Sequence, residues 1–380
     1  MQSYNLCFLG FGNVNRTLAQ LLQNREQELR ERHGLSFRIT GIASRRLGWL
    51  ADPEGLDLPG PDLKGLDLPG PDLKGRGFSR AETDPSRKSA SAAEVQDVHT
   101  WLDAAQADVL FEATSLNVQT GQPAIDHIRA ALNHGAHAIT ANKGPIVHAY
   151  RELRDLAAAG CPTLSRSLRK GGNKRFLFES TVMDGIPIFS LFDQLPAIHL
   201  QGFHGIVNST TNVILSEMEN GLSFDEALKK AQSLGIAETE ASHDIDGWDA
   251  AVKTAALITV LMDAPIKLEE ISREGIRGLS AEAVRVARKE GHPYKLVCRA
   301  KKIEKKTEQG TTETKIIASV RPEQIPQADP MARITGSSSY IYFETDIFPG
   351  LAITEENPGL YATAYGMLAD FIRAARGDSF

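Results

Sequence analysis

Cysteine is scarce in this chain. The three present, Cys7, Cys161 and Cys298, are too few and too far apart for a disulfide framework or a metal cluster. No apolar run approaches the ~20 residues needed to span a bilayer, and the N-terminus moves straight into a strand-like stretch without a basic-then-apolar leader. Neither charge sign dominates: 42 Lys and Arg against 48 Asp and Glu leave a net −6. That balance gives no general reason to expect nucleic acid or a membrane surface as partner. These absences describe a soluble protein of a reducing compartment, and a cytoplasmic location is expected. What the chain does have is length, since 380 residues suffice for two domains with cores of their own.

The stretch richest in chemistry runs from Gly235 to Asp263, GIAETEASHDIDGWDAAVKTAALITVLMD. Its first half carries Glu238, Glu240, Asp244, Asp246 and Asp249 with His243 among them; from Ala250 to Met262 only Lys253 is charged. A helix apolar all round is a buried one, and Asp249 and Lys253, four apart, share a face of it. Desolvation disfavours a lysine's charge while a nearby carboxylate favours it, so the pair can hold an ammonium poised for proton transfer. The plainer alternative is an ion pair at a helix start with a snorkelling lysine.

The first part of the chain reads as strands alternating with helices. Tyr4 to Leu9 suits a buried parallel strand. It ends in the turn Gly10-Phe11-Gly12-Asn13-Val14-Asn15, and a helix follows from Arg16 to about Arg30. Strand, glycine turn and helix let backbone N–H groups meet a pyrophosphate at a helix N-terminus. The third glycine of the dinucleotide fingerprint is replaced by Asn15, a position that serves packing more than phosphate contact. A second strand, Ser36 to Ala43, ends in Ser44-Arg45-Arg46. A carboxylate there would take the ribose hydroxyls of NAD, whereas arginine suits the 2′-phosphate of NADP; two solvated surface charges are the alternative. A strand from Asp108 to Glu112 leads into Ala113-Thr114-Ser115, and one from Ala136 to Thr140 into Ala141-Asn142-Lys143. Gly10, Arg45, Thr114 and Lys143 thus all stand at carboxyl ends of strands, where a doubly wound sheet has its ligand crevice.

Between Leu47 and Ser91 the chain reads as loop and contains an exact tandem repeat, LDLPGPDLKG at 56–65 and 66–75. Two proline-rich copies are too few for a solenoid, so a duplicated surface loop is expected. The basic stretch Arg166 to Arg175 reads as a solvated loop. Further on, a strand from His199 to Ile206 runs into Val207 to Asn212, and Ser223-Phe224-Asp225-Glu226 marks a helix start. A helix near 280–290, strands near 295–300, 315–320 and 339–344, and a closing helix over 363–375 complete the reading.

Together these residues resemble homoserine dehydrogenase over nearly the whole chain. The family's signature block is matched by Gly235, Glu238, Asp244, Gly247, Asp249 and Lys253; the Gly10–Asn15 turn, Ala141-Asn142-Lys143, Glu179 to Pro187, Ser209-Thr210-Thr211-Asn212 and Gly359 with Thr363-Ala364 support it. The resemblance implies an α/β fold: a Rossmann dinucleotide-binding domain over 1–143, completed by a C-terminal helix at 359–380, and an α+β substrate-binding and dimerisation domain with a mixed sheet over 144–358. It implies NAD(P)-dependent interconversion of L-homoserine and L-aspartate 4-semialdehyde, on the route to threonine, methionine and isoleucine, in a homodimer.

It also implies roles. Lys253 matches the lysine that moves the proton at the substrate oxygen, and Lys143 one that sits near nicotinamide and substrate. Glu238 and Asp249 match residues holding the amino acid, with Asp244, Ser209 and Thr210 in the same pocket. Gly10, Gly12, Asn13, Val14, Arg45, Arg46, Thr114, Ser115, Lys143, Gly235 and Gly359 fall to the cofactor, expected to be NADP with NAD possible. Glu179, Val182, Asp184 and Ile186 match a sodium site built partly from carbonyl oxygens. Ser209 replaces the glycine common before the two threonines, and Glu240-Ala241 the usual Asp-Pro. No kinase domain precedes the dehydrogenase and the tail is short for a ligand-sensing domain, so threonine feedback through one is not expected. The rivals are another NADP-dependent amino-acid dehydrogenase of this plan, against which the Glu238-to-Lys253 spacing argues, and a non-catalytic NADP(H) sensor, against which Lys143 and Lys253 argue.

Overall fold

The computed structural model describes residues 1–56, 97–159, 175–306 and 312–377. The tandem decapeptides from Asp57 onward, Cys161 and the basic stretch up to Lys174 lie outside the described residues. The chain runs β1 (Gln2–Leu9), α1 (Asn13–Asn24), α2 (Glu26–His33), β2 (Leu35–Ser44), β3 (Gly48–Ala51), α3 (Val98–Ala104), β4 (Val109–Glu112), α4 (Ala124–His134), β5 (His137–Thr140), α5 (Gly144–Ala158) and β6 (Phe176–Leu177). There follow α6 (Phe189–Asp193), β7 (Leu200–Ile206), α7 (Ser209–Glu219), α8 (Phe224–Ser233), α9 (Ser242–Ile245), α10 (Trp248–Leu261), β8 (Ser272–Arg273), α11 (Ala281–Lys289), β9 (Tyr294–Lys306), β10 (Thr312–Gln324), β11 (Ser339–Thr345), β12 (Leu351–Glu355) and α12 (Leu360–Arg376). Two compact units result, one of residues 1–186 with 359–380, the other of 187–358.

The first unit is built on a six-stranded sheet in the order β3-β2-β1-β4-β5-β6. All its pairings are parallel except that of β3 on β2. Strands covered on both faces read as continuous apolar runs, as β1 does: Tyr4 to Leu9 are all buried. The core joins Tyr4, Leu6 and Phe8 to Leu18 and Leu22 of α1, Val109 and Phe111 of β4, and Met367, Leu368 and Phe371 of α12. Phe371 meets Tyr4 and Phe111 edge-on, with centroids 5.5 and 6.1 Å apart. Burying those three α12 side chains is worth roughly 5–9 kcal/mol before the entropy of ordering the helix.

Three expectations need correction here. The boundary expected after Lys143 falls after Ile186. β6 pairs with β5, and the turn at Glu179 is tied to α12 by Glu179 N–H donating to Asp370 (2.8 Å) and Ser180 Oγ to the Thr363 carbonyl (2.7 Å). The single helix expected over 16–30 is two. The apolar stripe of α1 ends at Leu22, and the strongly charged α2 buries only Leu29. The loop expected from Leu47 opens with a strand, β3, whose Trp49 pairs with Ala43. It is only four residues long and was hidden by its glycine.

The second unit carries another six-stranded sheet, β12-β11-β7-β9-β10-β8, antiparallel except for β8 on β10. It is thus the mixed sheet the strands suggested. Helix α8 begins where Ser223 and Glu226 satisfy each other's backbone N–H groups, the reciprocal cap that spacing announces. Helix α10 lies on β9 and β10, buried from Ala250 through Thr259 except at Lys253.

Candidate active site

The order of the first sheet reverses between β1 and β4, and a cleft of ≈ 840 Å³ opens beyond the carboxyl ends of these strands. Gly10, Gly12, Asn13, Arg45, Arg46, Thr114 and Ser115 line it. Gly10 stands at φ +82°, and a Cβ there would lie 2.5 Å from the Ala113 carbonyl oxygen, so no other residue fits the turn. A Cβ on Gly12 would meet nothing within 4 Å. That open cradle at the start of α1 is where a pyrophosphate can approach the backbone.

Asn15 fills the missing glycine's place as a buried bolt. Its Nδ2 faces the carbonyls of Gly10 (3.1 Å), Leu9 and Phe111 (both 3.3 Å), tying the turn to β1 and β4. Val14 does not line the cleft; it packs against the core. Arg16, Trp49 and His127 do line it, and the sequence did not single them out. Trp49 abuts the fully buried Trp101 edge to face at 5.5 Å, and Trp101 Nε1 donates to the Leu50 carbonyl at 2.8 Å, so that wall is fixed. Burial pushes His127 down to about 4, leaving a neutral imidazole. Among the described residues that line the cleft there is no carboxylate.

Lys143 caps α5 at the end of β5, and Gly359 caps α12; both belong to the first unit, and neither is among the residues lining the cleft. The turn from Glu179 brings φ of +40° at Asp184 and +95° at Gly185. Among the described residues the carbonyl oxygens of Val182, Asp184 and Ile186 receive no hydrogen bond. Buried Glu179 meets Arg373 at 3.3 Å. Oxygen donors of this kind suit a hard cation. No group of three or more His, Cys, Asp or Glu side chains among the described residues forms a metal cluster.

In the second unit the acidic approach to α10 folds back on itself. Lys253 Nζ stands 3.2 Å from Asp249 Oδ2 and donates to the Val207 carbonyl at 2.7 Å. Asn208, which the sequence reading passed over, is the hub: its Nδ2 donates to Asp244 Oδ1 (2.7 Å) and Asp249 Oδ2 (2.9 Å). The same side chain caps α7 through Thr211 N–H (2.8 Å), so the helix start fixes the amide that joins the carboxylates. Burial, then the charge of Asp249, raises the Asp244 carboxyl above the usual range. Thr210 Oγ1 donates to the Ile236 carbonyl, and Ser209 Oγ to that of Ser337. The structure does not bring Glu238 into this group: it is exposed, and among the described residues its carboxylate takes no hydrogen bond or ion pair. Gly235 follows the end of α8 at φ +70°.

A doubly wound nucleotide unit, with a mixed-sheet unit that presents a lysine among carboxylates, is the plan of a two-domain nicotinamide dehydrogenase. The family comparisons agree. Residues 10–164 match the model of the homoserine dehydrogenase NAD-binding domain, and residues 187–372 that of homoserine dehydrogenase itself. The NAD(+)-dependent homoserine dehydrogenase of Pseudomonas canavaninivorans is 31% identical over 373 residues, covering 98% of this chain and 96% of that one. A putative homoserine dehydrogenase from Archaeoglobus fulgidus has a solved structure with TM-score 0.73 and 25% identity, covering 98% of each chain. A hyperthermophilic archaeal homoserine dehydrogenase mutant, solved with NADPH, shares the fold at TM-score 0.69 and 23% identity, again over 98% of each. The chain belongs to the homoserine dehydrogenase family.

Proposed function

We propose that the protein interconverts L-homoserine and L-aspartate 4-semialdehyde with Lys253 as the group that moves the proton at the substrate oxygen. The observation that carries this is the linked set Asp244–Asn208–Asp249–Lys253 at the edge of an otherwise buried helix. Asp249 and the Val207 carbonyl both stabilise the ammonium form of Lys253, the acid needed when the aldehyde is reduced. The two carboxylates supply what the substrate's own ammonium requires. Glu238, on the exposed approach, is assigned to the same ammonium. The nicotinamide supplies the hydride when bound, and Lys143 is assigned to the cofactor side with Gly235 and Gly359.

The direct test follows NADPH or NADH absorbance on adding aspartate semialdehyde or L-homoserine. Cofactor binding without any substrate-dependent change would leave a sensor instead. Lys253→Ala should lower turnover about 10²–10⁴-fold, the range for a general acid–base group, with cofactor affinity nearly unchanged. Wild-type turnover in a folded variant would make the lysine structural.

For the cofactor we favour NADP over NAD. The support is Arg45 and Arg46 in a cleft with no carboxylate among the described residues that line it; the NAD(+)-dependent relative is the reason to test it. A guanidinium fork binds a phosphate through charge-assisted hydrogen bonds of ~1.5–3 kcal/mol each. Replacing both arginines by alanine should weaken NADP selectively; an equal loss for NAD means the 2′-phosphate is not read there. Sodium is assigned to the carbonyls of Val182, Asp184 and Ile186 with Glu179, and exchanging sodium for choline chloride should lower the melting temperature. We assign the functional protein to a homodimer in a cytoplasmic compartment. The exposed Ile317 of β10, with Ile347 and Phe348 beyond β11, supports a partner on that unit, and light scattering of the purified protein decides it.

A further inference from the structure

Glu112 ends β4 as a fully buried carboxyl group; burial pushes its pKa up, and among the described residues no cation offsets that. Three donors converge on it. Oε1 accepts from Thr114 N–H (2.9 Å) and from Thr114 Oγ1 in a shorter contact, and Oε2 accepts from Thr140 Oγ1 (2.6 Å). The network then crosses to the end of β5. Thr140 Oγ1 accepts from Asn142 N–H (2.9 Å), Asn142 Nδ2 returns to the Thr114 carbonyl (3.1 Å), and Asn142 Oδ1 accepts from Gly144 N–H (3.0 Å). The result is a closed ring around the two strand ends. Thr114, on one side of it, lines the nucleotide cleft; Lys143, on the other, stands between Asn142 and Gly144 at the start of α5.

A buried charge without a cation is expensive, and an apolar residue would fill the space more cheaply. What an apolar residue cannot do is receive three donors and thereby hold both strand ends. Glutamine is a poorer fit: its oxygen can still accept from Thr114, but its amide would have to donate to the second lone pair of the Thr140 hydroxyl, which reverses that bond and leaves the hydroxyl proton without this acceptor. We infer that Glu112 is a positioning residue: its two oxygens set the Thr114 wall for the dinucleotide and, through Thr140 and Asn142, the approach of Lys143. The Lys143 half rests on the dehydrogenase reading above; the Thr114 half needs only that the cleft binds a nicotinamide dinucleotide.

The two halves separate experimentally. NADH and NADPH fluorescence titrations measure binding without turnover, and steady-state kinetics give kcat and KM on the same samples. Glu112→Gln should weaken binding of the better cofactor about tenfold and lower kcat about tenfold or more, with a melting temperature close to wild type. Thr140→Val cuts only the β5 side; it should lower kcat about tenfold while leaving the cofactor Kd within twofold. Rescue is expected in part from Glu112→Asp, which keeps acceptors only. Wild-type binding and kcat in folded E112Q overturn the inference, as does a Thr140→Val variant that loses binding and kcat equally. If E112Q does not fold, unchanged kcat in folded Thr140→Val overturns the Lys143 half. If wild type binds cofactor but turns over no homoserine, the dehydrogenase reading fails while the binding arm still judges Glu112.

Discussion

Asn208 donates to two carboxylates at once, and this is the detail on which the acid–lysine group depends. Without the amide, Asp244 and Asp249 face each other as like charges. Asn208→Ala should therefore lower kcat/KM for homoserine about ten- to a hundredfold. It also removes a helix cap, worth ~1 kcal/mol, and the melting temperature should fall by a few degrees. Unchanged kcat/KM would show that the carboxylates do not hold the substrate. Asp244 carries the complementary expectation. Its carboxyl is raised by burial and by Asp249, so the folded state binds its proton more tightly than the unfolded chain does. The stability it contributes thus falls as pH rises from its ordinary 3.8 through the raised value, and acidification restores it. Asp244→Asn should raise the melting temperature at neutral pH, flatten that part of the pH dependence, and reduce activity; a lower melting temperature would contradict this. The Asp249–Lys253 pair was legible because helical spacing fixes it, whereas Asn208 lies 41 residues from Asp249 along the chain and only tertiary folding joins them.

At the level of elements, the nucleotide half was legible because strands and helices alternate there and the first strand ends in a glycine turn. β3 and β12 were not, being short, and the first of them begins with a glycine. The long strand β9 holds a further residue that periodicity could not flag. Lys295 is fully buried, donating to the Ile334 carbonyl (2.6 Å) and Asn212 Oδ1 (3.3 Å), and so fastens β9 to α7. Burial lowers it to about 8, against the opposing pull of Glu219. Below pH 8 both folded and unfolded chains carry the proton. Between about 8 and the ordinary 10.5 only the unfolded chain does, so stability rises with pH across that window. Lys295→Met should abolish the rise in urea-midpoint measurements between pH 8 and 10.5. A wild-type slope in the variant would assign it to other groups.

At the scale of the whole molecule, the first unit is interrupted in sequence: residues 187–358 form the second unit before the chain returns as α12. Met367 and Phe371 then occupy the centre of the nucleotide unit's core. A polypeptide of residues 1–186 alone should bind a hydrophobic dye and no NADPH, and joining it directly to 359–380 should restore binding. Dye-free, binding-competent 1–186 would show α12 to be dispensable. The interruption also sets a timetable during synthesis. At about 5–20 residues per second, the helix that seals the nucleotide sheet leaves the ribosome roughly ten to forty seconds after the last strand of that sheet. For that interval the nascent chain carries a bare aromatic face, with Tyr4 and Phe111 on it, and it is then that a chaperone has something to hold.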